Sequence, residues 1–597
     1  MTSITIDPSR SAGRFNHFWR ASGFSPGQLL LEPEMRATLA LVGATPGHGV
    51  EFLRPHYMLE LVRATRTGHS LSYDWSLLDR AVDTMVEFGF RPFFELMGNP
   101  SGVFAGFTER NDILVWRDFV AELVRRFVER YGAEEVSKWY FETWNEPDLA
   151  WWKHGEDGFA NYYDACVAGM DAVDPTLRIG GPGTARTLSN MFKAFLAHCD
   201  SGTSCLTKDG PPRVDFISIH EKGVRMHLED LTPDTVGICR REMLAVDYIR
   251  QHHPRLRNVP IINNECDPQV GWHDTHSWNA TSYTPALMAK IIDQHQRLMI
   301  DEEKVPYDLL ANDNGFLGTW GHRTQLTYFG PKSYTKAQSE WITDLSGLDA
   351  AQNVPLAFVK KPSLAIMELL GLLGQERLAV NADPILAPDD NGLGVIATRH
   401  DDGRLAVLIY NSVDAIRRSG ETPIKLSLGK AGGQYDYTVY QLAGDAAFAV
   451  WERLGAPASP TDEQLAQMRA AAEPVAIQSG VLESDLQLDL SIPLPSANLV
   501  LIEKRQQKAP DAPVILSSER YTTPAGGTEM LLRWSSPASA TAFAISVSEK
   551  REGPFQPLYE TLLAKAAIVP VDTKIKFATV TALTLSGQAS EPALVEL

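Results

Sequence analysis

Glu146, in Asn145-Glu146-Pro147, ends the aromatic run Trp139-Tyr140-Phe141-Glu142-Thr143-Trp144, and Glu265, in Asn263-Asn264-Glu265-Cys266-Asp267, ends a second apolar run, Val259-Pro260-Ile261-Ile262. Two carboxylates at the exits of separate strands are the equipment for cleaving a glycosidic bond. One carboxyl protonates the leaving oxygen and the other attacks or stabilises the anomeric carbon. Taken singly, a glutamate after a hydrophobic run is more often a solvated loop residue or a helix N-terminal charge. Asn145 sharpens the chemical reading, since a side-chain amide beside the acid can hydrogen-bond a sugar 2-hydroxyl as charge develops.

Other chemistries lack their spacing. Four residues after His220 comes Val224, so His220-Glu221 is no zinc-protease motif, and Gly181-Pro182-Gly183-Thr184 falls short of a dinucleotide-binding loop. No phosphate-binding loop is present. The five cysteines have no Cys-x-x-Cys spacing, which argues against a disulfide framework and a zinc site; no metal or cofactor is expected. A formal charge of −19 disfavours nucleic acid and anionic membranes as partners, and requires that an anionic substrate be held by local cations. The start, Met1 to Asp7, has no basic or apolar leader character, and no apolar run reaches membrane-spanning length, so cytoplasmic residence is expected.

Which elements could bring the two acids together? Short apolar strands alternate with amphipathic stretches at 15–20, 51–56, 91–96, 138–146, 177–181, 214–220, 261–265 and 309–313. This α/β rhythm predicts a (β/α)8 TIM barrel over residues 13–361, whose strands' carboxyl ends converge on one mouth. Glu146 then ends the fourth strand and Glu265 the seventh. Between strands, Leu78, Ala81, Val82, Met85 and Val86 share one helical face, and Trp116, Phe119, Val120, Leu123 and Phe127 another, before Gly132 supplies a stop. Glu95 and Glu142 are expected to point into the barrel and pair with an arginine such as Arg54, and Asp148 to cap the segment that follows it. After residue 361 the period changes to two, as in Ile424-Lys425-Leu426-Ser427-Leu428, predicting a β-sandwich from 1–12 and 362–506 with Ile4-Thr5-Ile6 as an edge strand. One helix interrupts it, announced by Ser459-Pro460-Thr461-Asp462 as a capping box with proline at the first helical position. A stiff linker at Lys508 to Pro513 leads to a fibronectin type III-like β domain over 507–597, anchored by Trp534, Phe543, Ile545 and Val547.

The chain resembles glycoside hydrolase family 39, and within it the uronic-acid-releasing branch. The resemblance is carried by Phe18-Trp19-Arg20, Phe94-Glu95-Leu96-Met97-Gly98, Phe141 to Asp148, Asn161 to Cys166, Gly180-Gly181-Pro182-Gly183, Asp267-Pro268 with Val270-Gly271-Trp272, and Asn312-Asp313-Asn314. Trp-Asn-Glu-Pro alone is common to many barrel glycosidases. The tract Arg453-Leu454-Gly455, continuing through Gln467 to Ala471 and Pro474-Val475, is more specific because it lies outside the barrel.

The resemblance implies a retaining exo-glycosidase that releases terminal α-L-iduronic acid from glycosaminoglycan fragments of dermatan or heparan sulfate type. Glu146 would be the general acid/base and Glu265 the nucleophile. Lys222 and the backbone of Gly271 and Trp272 would meet the sugar carboxylate, with Asp313, Arg323, His56 and Asn145 lining the same subsite. A β-xylosidase of the same family is the nearer alternative, and a non-catalytic carbohydrate-binding protein the more distant. The last ninety residues hold no cysteine, unlike the animal enzymes' terminal domain, which together with the missing leader points to a bacterial-type member and away from the lysosome.

Overall fold

The computed structural model describes residues 1–24, 27–68, 70–224, 232–271, 274–312, 315–330, 355–389, 391–416, 418–429, 434–444, 446–482, 486–506 and 508–597. Eight parallel strands, Ala21–Phe24, Phe52–Pro55, Arg91–Glu95, Tyr140–Glu142, Arg178–Thr184, Phe216–Ile219, Ile261–Asn263 and Tyr307–Asn312, close into a barrel, the last pairing with the first through Ala311 and Ala21. They are numbered one to eight here. Apolar side chains fill the lumen, with Phe52, Phe93, Tyr140 and Phe216 as the large members and Phe93 stacked on Tyr140 at 5.0 Å. Strand five contributes Gly180 and Gly181 instead, because a Cβ on Gly180 would run into the Phe216 ring and carbonyl, and one on Gly181 into Thr143.

Seven of the expected strands overlap the observed ones. The first does not: residues 15–20 are a turn, and strand one begins at Ala21. The physical reason is His17, which takes a left-handed φ of 50° and breaks the extended run, so that Phe15, Phe18 and Trp19 are buried by ring packing and not by alternation. The two anticipated helical faces are real. Leu78, Ala81, Val82 and Met85 are buried on the helix Ser76–Glu87, and the Trp116 to Phe127 face on Arg110–Tyr131, which stops at Gly132 with φ 87°.

Strand Thr2–Arg14 lies between Glu376–Asp383, to which it is antiparallel, and Gly420–Leu428, to which it is parallel, inside a nine-stranded sheet. Its expected edge position is therefore corrected. Ile4 and Ile6 are fully buried against Ile424, Leu426 and Leu488, and that burial needs a neighbour on both sides. Two helices, Ala446–Arg453 and Asp462–Ala470, interrupt the sheet where one was expected. The second carries the capping box, but with Thr461 as the cap: Thr461 Oγ1 accepts from Gln464 N and Gln464 Oε1 accepts from Thr461 N at 2.9 Å. Pro460 thus precedes the cap instead of opening the helix. At the C-terminus, three strands (Ile515–Thr522, Thr528–Trp534, Ala566–Val571) face four (Gln556–Leu562, Ala542–Ser548, Phe577–Leu583, Ala593–Glu596) across Trp534, Phe543, Ile545, Val569 and Val580. This is a fibronectin type III-like sandwich. Among the described residues no helix is long and apolar enough to cross a membrane.

Candidate active site

Strand four ends at Glu142, and the chain continues through Thr143, Trp144 and Asn145 to Glu146, which sits at φ 46°. A left-handed glutamate is costly unless its surroundings fix it. Here they do: Glu146 N donates to Gly183 O at 2.9 Å, and Leu149 N donates back to Glu146 O at 3.0 Å. Asp148 completes the clamp by accepting from Ala185 N at 2.8 Å and Arg186 N at 3.0 Å, so the loops after strands four and five are tied at the mouth. On strand seven's exit, Glu265 N lies 3.3 Å from Asn263 Oδ1, which takes Glu221 N at the same distance. Asn263 Nδ2 in turn donates to Glu242 Oε1 at 2.6 Å, and Glu242 is buried against His295 and Tyr307.

One carboxylate oxygen from Glu146, one from Glu265 and a ring nitrogen of His220 all lie within 4.8 Å of one another. Retaining pairs stand about 5 to 5.5 Å apart, whereas inverting pairs need roughly 6.5 to 9.5 Å to admit a water. Nearest oxygens this close are compatible with the retaining class. His220 Nδ1 lies 3.0 Å from Glu146 Oε1 and 3.5 Å from Glu265 Oε2, bridging the two acids.

The surroundings of the acids differ. Burial alone would raise the Glu265 carboxyl, but the charges of His220, Lys222, Arg54 and His56 outweigh it and hold the group well below its usual range. The contacts are Lys222 Nζ at 2.7 Å, Arg54 Nη1 at 3.1 Å and His56 Nε2 at 3.8 Å. Glu146 is the more open, its side chain 16% exposed against 5% for Glu265. Arg54 is wholly buried and also pairs with Glu142 Oε2 at 2.7 Å, Glu95 Oε1 at 2.7 Å and Asn145 Oδ1 at 2.9 Å. Desolvation would lower its basicity, yet Glu142, Glu95 and Glu265 more than reverse that, so the guanidinium stays charged. His56, likewise desolvated, is pushed up by Glu95, whose carboxylate meets its Nδ1 at 2.8 Å.

Of the residues expected at the site, Glu146, Glu265, His56, Asn145 and Lys222 converge through these contacts. Arg323 joins through Asp267: its Nη1 is 3.3 Å from Asp267 Oδ2, which lies 3.6 Å from Lys222 Nζ. Gly271, at φ 85°, follows on the same loop. Trp272 and Asp313 lie outside the described residues. Glu95 and Glu142 hold Arg54 as expected, whereas Asp148 clamps the strand-five loop at Ala185 and Arg186 and does not cap the segment that follows it. Sequence reasoning missed His220 and Asp267. His220 follows the last residue of strand six and stands two residues before Lys222, so the strand-exit argument that selected Glu146 and Glu265 could have selected it too. As for cations, the Glu146, His220 and Glu265 atoms have metal-like spacing, but Arg54 and Lys222 beside them oppose a further positive charge. A second such group, Glu242, Cys266 and His295, is buried, with the two ring nitrogens of His295 already facing Ile291 O at 2.7 Å and Glu242 at 3.1 Å.

A parallel eight-stranded barrel with a close carboxylate pair at the exits of strands four and seven is the architecture of a glycoside hydrolase. The model of glycosyl hydrolases family 39 matches residues 2–484, and the chain belongs to that family. It is 35% identical to human α-L-iduronidase over 85% of this chain and 79% of that protein. A solved structure of a bacterial orthologue of human α-L-iduronidase superposes with a TM-score of 0.92 at 42% identity, covering 100% of this chain and 99% of the other. A β-xylosidase from Caulobacter crescentus shares the fold, with a TM-score of 0.63 at 20% identity over 84% of this chain and all of that one.

Proposed function

We propose that this glycosidase is an exo-acting α-L-iduronidase on glycosaminoglycan fragments, with Glu265 as nucleophile and Glu146 as general acid/base. The observation that carries the substrate reading is the pair of cations, half-buried Lys222 and buried Arg323, meeting on Asp267 beside the nucleophile in a chain of net charge −19. A substrate carboxylate entering a water-poor mouth needs such cations to offset its desolvation. The 35% and 42% identities to iduronidases support the same reading.

In the first step Glu265, kept ionised by its cations, attacks the anomeric carbon while Glu146 protonates the leaving oxygen. In the second, Glu146 takes a proton from the incoming water, which frees the sugar with its configuration retained. Asn145, whose Oδ1 accepts from Arg54, has its NH2 end to offer a 2-hydroxyl. His56, Arg323, Gly271, Trp272 and Asp313 complete the sugar subsite in this reading. A reducing compartment such as the cytoplasm suits the five free cysteines.

A β-xylosidase is the second reading, and one contact favours it. Lys222 is already satisfied by Glu265 at 2.7 Å, so it does not need a substrate carboxylate as partner. Chromogenic α-L-iduronide, β-D-glucuronide and β-D-xyloside separate the two: the account expects kcat/KM highest on the iduronide, and a preference for the xyloside overturns it.

A further inference from the structure

The turn after Glu146 ends in two tryptophans of opposite exposure. Trp152 is buried, stacked on Phe107 at 5.7 Å and edge-on to Trp144 at 5.5 Å, with Nε1 donating to Gly155 O at 3.0 Å. Trp151 is 44% exposed, yet it is not adrift: its Nε1 donates to Asn145 O at 3.0 Å. Isolated exposed apolar side chains are ordinary on protein surfaces and need no explanation. This indole is different because its one polar atom is tied to the backbone of the residue preceding the general acid. The turn is wound to put it there, by Leu149 N donating to Glu146 O and Trp152 N to Leu149 O.

A general acid stands on the leaving-group side of the scissile bond, since it must reach the departing oxygen. The loop that carries it therefore borders whatever departs. An aromatic ring held rigid there offers a large contact area at low entropic cost, and its face matches the C–H face of a pyranose. We propose that Trp151 is the platform for the leaving sugar, a hexosamine residue that stacks on the exposed indole face while the uronic acid occupies the pocket between Glu146 and Glu265. The choice of hexosamine rests on the iduronidase reading above; the platform itself requires only a pyranose.

The test uses the full chain with an iduronosyl-N-acetylhexosamine disaccharide and iduronosyl fluoride, whose leaving group has no face to stack. Trp151→Ala is expected to lower kcat/KM on the disaccharide about tenfold more than on the fluoride, the scale of one lost aromatic anchor. Trp151→Phe, which keeps a ring without the tether, should recover part of that difference. Equal losses on both substrates, or no loss on either, overturn the platform and leave Trp151 a surface residue. Wild-type turnover of neither iduronosyl compound contradicts the iduronidase reading instead, and the same ratio measured on xylobiose and xylosyl fluoride then decides the platform.

Discussion

Two buried ionic clusters in this molecule send a carboxyl in opposite directions. At the barrel mouth, Glu265 is ringed by Lys222, Arg54, His56 and His220 and is held well below its ordinary value. Where the barrel meets the C-terminal strands, Glu368 Oε1 accepts from Lys360 Nζ at 2.7 Å, and Lys360 is shared with Glu473. Glu368 Oε2 has no hydrogen-bond partner among the described residues, and burial pushes the group up to about 7 despite Lys360. Nearby, Arg469 is occupied by Glu529 of the terminal sandwich and by Phe358 O. Burial penalises both carboxylates; the number of cations in contact decides the sign. The mouth invests in cations because its carboxylate must be an anion to attack, whereas the junction only has to join elements.

The largest effect expected from breaking this contrast is at the mouth itself. Glu265→Ala should lower kcat by roughly 10⁴-fold or more on every substrate, the scale of losing a covalent catalyst. Glu146→Ala should spare aryl glycosides whose leaving group departs without protonation, and azide should rescue it as a glycosyl azide of retained configuration. Rescue of Glu265→Ala and not of Glu146→Ala would reverse the two roles.

Next comes Lys222→Met. Truncating one partner of a buried charge pair costs about 2 to 5 kcal/mol, so kcat/KM on an iduronide should fall on the order of 30-fold to several thousand-fold. Because Lys222 touches Glu265, a neutral xyloside should lose activity too, though less, and the acid limb of the pH–rate profile should move upward. The sign follows from Glu265: a depressed carboxyl stays ionised below its usual value near 4.5, and losing a cation raises its pKa, so activity is lost at a higher pH than in wild type. Equal losses on both sugars would leave Lys222 as a support of the nucleophile alone.

The smallest effect is at the junction. Glu368 is raised from about 4.5 to about 7 by folding, so its stabilising contribution is complete below 4.5 and lost as pH rises through 7. Glu368→Gln should flatten the fall of thermal stability across that window, by about 1 to 3 kcal/mol, without altering kcat. An unchanged stability profile would mean that the Lys360 pair keeps Glu368 ionised.

Much of the site was legible because it obeys strand periodicity. Glu146 and Glu265 follow apolar runs, and the rule that all barrel strands exit at one mouth brings them together without further information. Arg54, too, was foreseen as the partner of Glu142 and Glu95. What stayed hidden depends on contacts between distant segments. That Lys222 rests on the nucleophile, and that Asp267 links it to Arg323, is a property of loop geometry that no local pattern encodes. The left-handed turns at His17 and Glu146 were equally invisible, since neither residue is a glycine and both are fixed by tertiary hydrogen bonds and ring packing. The interior place of strand Thr2–Arg14 was missed for a similar reason: Ile4 and Ile6 alternate as an edge strand would, and only the parallel partner far along the chain distinguishes the two.

The central claim is that Lys222 and Arg54, in contact with Glu265, hold it as the attacking anion, while Glu146, which shares His220 with it, serves the leaving oxygen, the two carboxylates lying less than 5 Å apart at their nearest oxygens. A fluorinated iduronosyl fluoride, which forms the glycosyl-enzyme quickly and releases it slowly, tests this directly when the trapped protein is digested and the labelled peptide sequenced by mass spectrometry. The account predicts one equivalent of sugar esterified to Glu265. A label on Glu146, or turnover with inverted configuration and no label, would contradict it.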